Sequence, residues 1–379
     1  MFELVHSKPV AYFGRGAIVK MKDIAGRIDG KLLIVTTKSA YKRSGAWDVI
    51  KSALEEKKVE YELYDKVRAN PTYDNCDDAA NMGADWVMGI GGGSAIDTAK
   101  IVSVLIKHQG KRTKDLLEKG FDIKGSCPKI AVNLTHGTGT EVDKFAVSQS
   151  DGEYKIGIGL REFYPDYAID DPELTKTLST EETKATSIDA LNHAFEAATN
   201  AKGNQYSELL AREAIKIIAE DLGETIKKPQ NTELRERLLF ASAIAGISFD
   251  ITGTHITHVL EHAVSAIKPD IAHGAGLAVF LPAVAESVYP AMPKTVTELL
   301  SPIVDLSSEI DGASKAKEGL RVWLESFGMK THLSDYGFHE EDKKEIKNRA
   351  LSDFFRRQLE CSPLEANDKL IEKILEESF

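Results

Sequence analysis

The apolar pattern of this chain changes near residue 178, and this change limits the possible folds more than any other feature. Before that point, short apolar runs alternate with helical segments, as in βαβ units built on a mostly parallel sheet. After it, nearly every segment has the helical period. We therefore predict an α/β domain over residues 1–178 and an all-helical domain over residues 179–379. A chain of 379 residues is long enough for two such cores.

The same pattern predicts the individual elements. In the first half, strands are predicted at 31–37, 59–65, 85–90, 128–134, 154–159 (YKIGIG) and 166–171 (DYAIDD), with helices at 47–57 and around Cys76. In the second half, helices are predicted at 180–199, 204–225, 232–246, 254–266, 275–288, 294–309, 313–328, 341–354 and 365–377. No repeat is visible, which argues against a solenoid despite the many helices.

Composition narrows the partners and the compartment. The formal net charge of −11 at pH 7 argues against a nucleic-acid partner. No apolar run reaches the roughly 20 residues that a membrane span needs, and the first residues, MFELVHSKPVAYFG, lack the basic and apolar regions of a secretory leader. Three widely spaced cysteines without a CxxC pair fit a reducing compartment. We expect a cytoplasmic protein with no membrane partner.

Two pairs of polar side chains at helical spacing indicate a metal site. His258 and His262 are four residues apart in a predicted helix and share one face, and His273 follows after a helix-ending proline. Asp189 and His193 are likewise four apart, on a helix face flanked by apolar residues. A buried carboxylate needs a positive partner. A structural salt bridge is the alternative, but no Lys or Arg stands at helical spacing on that face. One carboxylate with up to three imidazoles suits Fe²⁺ or Zn²⁺, although spacing alone does not separate His258 from His262.

A glycine-rich turn in the first half predicts a dinucleotide site. Gly91-Gly92-Gly93-Ser94 directly follows the predicted strand 85–90 and precedes a helix. Glycines let the backbone approach a phosphate, and a helix N-terminus presents unpaired N–H groups. Ser94 would cap the helix or donate to a phosphate oxygen, and a second turn over 135–140 would add donors. The spacing is not GxGxxG, and the alternative is an ordinary tight βα turn that is rich in glycine.

A metal in one half and a nucleotide in the other suggest a cleft between the two domains. The chemistry that needs both is hydride transfer at a carbon that bears oxygen, with the metal polarising that oxygen. We therefore expect an oxidoreductase.

Several motifs in the same order resemble one known family. They are FGRGAI, NPT at 70–72, GGGSAIDTAK at 91–100, THGTGTE at 135–141, DDPELT at 170–175, DALNH, and the histidine-rich stretch. Across nearly the whole chain the sequence resembles the iron-containing (group III) alcohol dehydrogenases. The resemblance implies a Rossmann-like N-terminal domain and an all-α C-terminal domain, the two-domain architecture that is shared with dehydroquinate synthase.

The resemblance also assigns residues to the metal and the chemistry. It implies a metal bound through Asp189, His193, His258 and His273, most often Fe²⁺ and sometimes Zn²⁺. It places His262 near the nicotinamide and the substrate, as a proton relay. His255 has no motif role, and we interpret it as structural.

The family resemblance further implies how the nucleotide binds. Gly92, Gly93 and Ser94 would hold the pyrophosphate, and the rest of the cofactor site would be lined by Asn70, Asp97, Thr135, Thr138 and Lys155. NAD-preferring members tend to have an aspartate where this chain has Thr37-Lys38. Without that carboxylate a 2′-phosphate is not repelled, and Lys38, Lys42 or Arg43 could attract it. We predict NADP over NAD.

Two further positions depart from the family pattern. His136 replaces a small residue in the second turn, and Glu261 replaces one beside His262. We expect both to bear on the substrate range and not on the reaction type. The predicted activity is the interconversion of primary alcohols and aldehydes, and the family suggests a homodimer.

Three alternatives stay open from the sequence alone. A glycerol or polyol dehydrogenase and a dehydroquinate synthase-like lyase share the fold and the metal, although the synthase would need a cluster of basic residues that is absent around 240–275. The third is a catalytically silent metal- or nucleotide-binding protein.

Overall fold

The structure is a computed structural model that describes residues 9–150, 154–306 and 311–379. By spatial proximity these residues form two compact units. The first unit contains the described residues up to Ser179 together with Pro229–Leu239. The second contains the described residues of Thr180–Lys228 and Phe240–Phe379, so the segment 229–239 clusters with the first unit and not with its neighbours in the chain.

The first unit is built on a six-stranded parallel sheet with strand order β1-β8-β5-β4-β2-β3. Its strands are β1 Val10–Phe13, β2 Leu32–Thr37, β3 Tyr61–Val67, β4 Trp86–Gly91, β5 Lys129–Asn133 and β8 Tyr167–Asp170. Strands β6 Phe145–Gln149 and β7 Lys155–Gly159 form a separate antiparallel pair. The helices are α1 Met21–Ala25, α2 Ala40–Arg43, α3 Ala46–Lys57, α4 Tyr73–Ala80 and α5 Gly93–Ile106.

The central strands are apolar runs because both faces of the sheet are covered. In β2, Leu32 and Ile34 belong to the apolar cluster on one face, and Leu33 and Val35 belong to the cluster on the other. The predicted Rossmann-like parallel sheet is confirmed, and the six predicted strands agree with the structure to within two residues at each end. The strand predicted at 154–159 is not part of the parallel sheet, however, because among the described residues it pairs with β6 in a separate antiparallel sheet.

The second unit is helical. Its helices are α6 Thr180–Thr199, α7 Gln205–Lys227, α8 Thr232–Thr252, α9 Ile256–Ile267, α10 His273–Val288, α11 Pro293–Leu300, α12 Gly312–Ser326, α13 Lys343–Ala350, α14 Arg356–Leu359 and α15 Asp368–Glu377, and the start of α8 up to Leu239 belongs to the first unit. Helix α8 continues six residues beyond its predicted end. Helix α11 was predicted to continue to residue 309 but ends at Leu300. Residues 307–309 of that prediction lie outside the described residues.

Among the described residues, no single helix has the length and apolar character that a membrane crossing requires. One bent pair, Thr232–Thr252 with Ile256–Ile267, passes on length and composition alone.

Candidate metal centre and nucleotide turn

Three helices supply the predicted metal ligands. Helix α6 carries Asp189 and His193, α9 carries His258, and α10 begins at His273. His273 lies just before the helix predicted over 275–288, but in the structure it is the first residue of α10. The next residue allows this helix to start against α6, since a side chain on Gly274 would overlap the backbone of Ala185.

The four side chains meet at one carboxylate oxygen. Asp189 Oδ1 lies 3.5 Å from His273 Nε2, 3.6 Å from His193 Nδ1 and 3.8 Å from His258 Nε2. The ligand atoms of Asp189, His258 and His273 all lie within 4.8 Å of one another. The His193 ring is stacked on the His258 ring at 4.6 Å and on the Phe249 ring at 4.3 Å.

The electrostatics of this group call for a cation. Burial by itself raises the pKa of Asp189, yet the imidazoles of His193, His273 and His258 outweigh it and hold this pKa below its ordinary value. Burial lowers the pKa of His258, but Glu196 and Asp189 reverse the effect and raise it to about 9. Asp189 Oδ1 and His258 Nε2 are buried and have no hydrogen-bond partner among the described residues. Such orphaned atoms are costly, and a divalent metal ion between them fits the set of donors.

Glu196 is a residue of this centre that our sequence reasoning missed. It is fully buried, and its Oε2 lies 2.6 Å from His258 Nδ1. The same carboxylate accepts the backbone N–H groups of His255 (3.0 Å) and Thr257 (2.5 Å) at the start of α9. The signal was present in the sequence, because Asp189, His193 and Glu196 follow an i, i+4, i+7 spacing on one face of α6.

His255, which we interpreted as structural, is fully buried beside that carboxylate. Its Nδ1 lies 3.1 Å from Glu196 Oε1, and its Nε2 lies 3.0 Å from Thr199 Oγ1. Burial is the main cause that lowers the pKa of His255. A neutral imidazole that bridges α6 and α9 accounts for this position without a role in binding.

Glu261 has surroundings that we did not expect. We predicted that it bears on the substrate range, but its side chain is fully buried and contacts His273 Nδ1 and Ser265 Oγ. Gly276 on α10 makes room for it, since a Cβ there would lie 2.9 Å from Glu261 Cγ.

His262 lies beside the three-residue group. Its ring centroid is 5.7 Å from that of His273, 6.4 Å from that of His258 and 5.9 Å from that of Phe355. It also forms a second group of closely spaced potential ligands with Glu261 and His273. Of the two histidines that spacing could not separate, His258 is the one that faces Asp189.

In the first unit, the two predicted turns lie against each other. A Cβ on Gly92 would lie 2.6 Å from Thr135 Cγ2, and a Cβ on Gly93 would lie 2.5 Å from Thr138 Cγ2. Helix α5 begins at Gly93 with Gly92 as its N-cap, so the expectation that Ser94 caps this helix is wrong. The N-terminus of α5 is therefore open to an anion, and Ser94 lies in its first turn.

Buried polar side chains brace the second turn. Asp97 accepts hydrogen bonds from Thr140 Oγ1 (2.6 Å) and from the Val147 N–H (3.0 Å). Lys100 Nζ donates to Thr140 Oγ1 (2.6 Å) and to Asp143 Oδ1 (2.9 Å). The predicted cofactor residue Asp97 thus holds the turn in place through its neighbours.

The remaining predicted cofactor residues lie on connected elements. Asn70 has a left-handed backbone with φ of 55°, and the next residue, Pro71, accepts the Gln149 N–H at the end of β6 (2.9 Å). Lys155 is buried on β7 and is paired in register with Gln149. Thr37 ends β2, and the exposed Lys38 follows it.

His136 is fully enclosed in the second turn. Its Nε2 lies 3.1 Å from Arg235 Nη1, and the pKa of His136 is lowered to about 3, by burial first and by the Arg235 charge second. We predicted an effect on the substrate range, but the imidazole is only 1% exposed.

Comparison with known proteins identifies the class. Residues 9–172 match the family model for iron-containing alcohol dehydrogenase, and residues 183–379 match that for the C-terminal region of the Fe-containing alcohol dehydrogenase family. The chain belongs to the iron-containing alcohol dehydrogenase family.

Individual relatives match over 90% or more of the chain. The chain is 46% identical to the long-chain primary alcohol dehydrogenase AdhA of Thermoanaerobacter ethanolicus, over 100% of this chain and 98% of that protein. It is 28% identical to the NADPH-dependent butanol dehydrogenase of Clostridium saccharobutylicum, with 90% of each covered. The crystal structure of NADH-dependent butanol dehydrogenase A from Thermotoga maritima superimposes with a TM-score of 0.91 at 26% identity, over 100% of this chain and 99% of that one.

Proposed function

We propose that this protein is a metal-dependent, NAD(P)-linked alcohol dehydrogenase that interconverts primary alcohols and aldehydes. The observation that carries the proposal is the convergence of three imidazoles on the buried carboxylate of Asp189. A primary alcohol as substrate is supported by the relative that is 46% identical and is a long-chain primary alcohol dehydrogenase. The family membership favours this activity over a lyase or a silent binding protein.

The residues that would hold the metal are Asp189, His193, His258 and His273. Fe²⁺ is the proposed ion and Zn²⁺ the alternative, since one carboxylate with imidazoles suits both. When bound, such an ion polarises the substrate oxygen, while the nicotinamide carries the hydride.

The nucleotide would bind at the open N-terminus of α5. The backbone N–H groups of Gly92, Gly93 and Ser94 would hold the pyrophosphate, and the surrounding residues would be Asn70, Asp97, Thr135, Thr138 and Lys155. Parallel strands present their carboxyl ends at one edge of the sheet, so Thr37 and Lys38 lie at the same edge as Gly92. With no carboxylate at 37–38 to repel a 2′-phosphate, we propose NADP as the preferred cofactor and NAD as the alternative.

His262 would carry the hydroxyl proton of the substrate. An imidazole can accept and release a proton near neutral pH. Its ring next to His273 and Phe355 supports a place beside the bound substrate.

The two compact units would correspond to a nucleotide-binding domain over 1–178 and a metal-binding domain over 179–379. The segment 229–239 would be the exception, because it clusters with the first unit. We propose a homodimer on the family resemblance, which sedimentation analysis tests.

A paired substitution tests the proposal. His258→Ala should remove both the bound metal and the oxidation of butanol with NADP. His339→Ala, which changes an exposed histidine outside the proposed ligand set, is the control and should retain both. Elemental analysis and absorbance at 340 nm measure the two properties. A His258→Ala protein with its full metal content would show that the ligand set is wrong, and a metal-loaded wild type that oxidises no primary alcohol would refute the activity.

A further inference from the structure

Every imidazole that binds a metal through one nitrogen has a second nitrogen that must be satisfied. A carboxylate that accepts the outer N–H fixes the tautomer and the direction of the ring. His258 and His273 both direct Nε2 towards Asp189 and Nδ1 away from it. Each of these Nδ1 atoms meets a buried glutamate.

The first glutamate, Glu196, is itself immobilised. Besides His258 Nδ1 at 2.6 Å, it accepts the backbone N–H groups of His255 and Thr257, so the carboxylate also caps the start of α9. This carboxylate ties α6 to the first turn of α9, so rotation of the His258 ring would break its hydrogen bond to a carboxylate that the backbone of α9 holds in place.

The second glutamate, Glu261, is fixed by a residue of its own helix. Ser265, one turn later on α9, donates to Glu261 Oε1, and the other oxygen contacts His273 Nδ1 on α10. The bare backbone of Gly276 leaves the space that this carboxylate occupies between α9 and α10.

We propose that Glu196 and Glu261 are positioning residues, which keep the protons of His258 and His273 on Nδ1 and direct both Nε2 lone pairs at one metal ion. Neither glutamate is a ligand. Each raises the electron density on its imidazole and strengthens the metal bond. The centre therefore has three buried carboxylates around one divalent ion, of which only Asp189 binds it. This inference rests on the proposed metal site.

Metal affinity provides the test. Glu261→Gln and Glu196→Gln keep the side-chain shape but remove the charge, and each should weaken Zn²⁺ or Co²⁺ binding about 10- to 100-fold, the usual effect of such partners. Ser265→Ala, which removes only the brace of Glu261, should have a smaller effect in the same direction. The control is Glu286→Gln on α10, because Glu286 Oε2 forms an ion pair with Lys317 Nζ at 2.8 Å. The metal affinity of this variant should equal that of the wild type.

Titration of metal-free protein with a chelating dye in competition gives the affinities. The electronic spectrum of bound Co²⁺ reports the ligand geometry, and NADPH fluorescence verifies that the nucleotide site of each variant is intact. Affinities within twofold of the wild type for both Glu261→Gln and Glu196→Gln would overturn the positioning role. If instead His258→Ala binds metal as tightly as the wild type, the proposed metal site itself is wrong, and the proposed function fails independently of the two glutamates.

A measurement on the wild-type protein tests the inference even if the variants do not fold. Long-range ¹H–¹⁵N spectra of histidine-labelled, Zn²⁺-loaded protein report which ring nitrogen carries the proton. We expect a proton on Nδ1 and none on Nε2 for both His258 and His273. Metal-bound Nδ1 in either ring would overturn the inference.

Discussion

Gly93 packs against Thr138 of the second turn, which makes Gly93→Ala an informative substitution. The added Cβ would lie 2.5 Å from Thr138 Cγ2, whereas carbon atoms in contact are about 3.5–4.0 Å apart. Either the Thr138 side chain must rotate or the two turns must separate by about 1 Å. Forcing a methyl group into a packed site costs about 1–3 kcal/mol, and this cost falls on the arrangement that would bind the pyrophosphate. Since about 1.4 kcal/mol corresponds to a factor of ten, we expect NADPH to bind roughly 5- to 150-fold more weakly.

The assay is a fluorescence titration of NADPH, with circular dichroism to establish that the fold is retained. Thr138→Ser removes the methyl group that collides but keeps the hydroxyl that accepts the Thr140 N–H at 3.3 Å. The double variant with Gly93→Ala should therefore recover most of the lost affinity, and Thr138→Ser alone should bind almost normally. Wild-type affinity in Gly93→Ala, or a double variant as weak as Gly93→Ala, would refute the reasoning.

Three further predictions concern the first unit. Thr37→Asp should lower the affinity for NADPH relative to NADH by about tenfold or more, because a carboxylate repels the 2′-phosphate; an unchanged ratio in paired titrations would contradict it. His136 has a folded-state pKa of about 3 against an ordinary 6.5, so its contribution to stability is present above pH 6.5 and is lost as the pH falls. Between pH 6.5 and 4 the wild type should therefore lose up to about 1.4 kcal/mol per pH unit more than His136→Gln in urea unfolding, and parallel pH profiles would disprove this. Burial raises the pKa of the Cys76 thiol to about 12, so iodoacetamide at pH 8 should modify it only after denaturation; mass spectrometry of the peptides would detect labelling of the folded protein, which we do not expect.

The fold was largely predictable because each main element has a local signal. Strand β2 is a continuous apolar run that is buried on both faces, and α6 has the helical period from Thr180 onward. The edge strand Val10–Phe13 was missed because most of its side chains are exposed, which removes the apolar signal. The separate pairing of Lys155–Gly159 with β6 depends on contacts across the chain, which periodicity does not report.

The side chains that converge on Asp189 were predictable from the sequence and its family resemblance, but the residues that support them were not. Spacing brought Asp189 and His193 onto one face, whereas the distinction between His258 and His262 came from family resemblance. The contacts of Glu196 and Glu261 depend on how α6, α9 and α10 pack, and this packing uses the small residues Gly274 and Gly276. A sequence pattern contains the spacing within one helix but not the partner on the next.

The most direct measurement is an anomalous-difference map from crystals of the Fe²⁺-loaded protein, recorded at the iron absorption edge. The proposed function predicts one strong peak per chain, within bonding distance of Asp189, His193, His258 and His273. A peak at another position, or no peak among these four side chains in protein that is shown to contain iron, would contradict it.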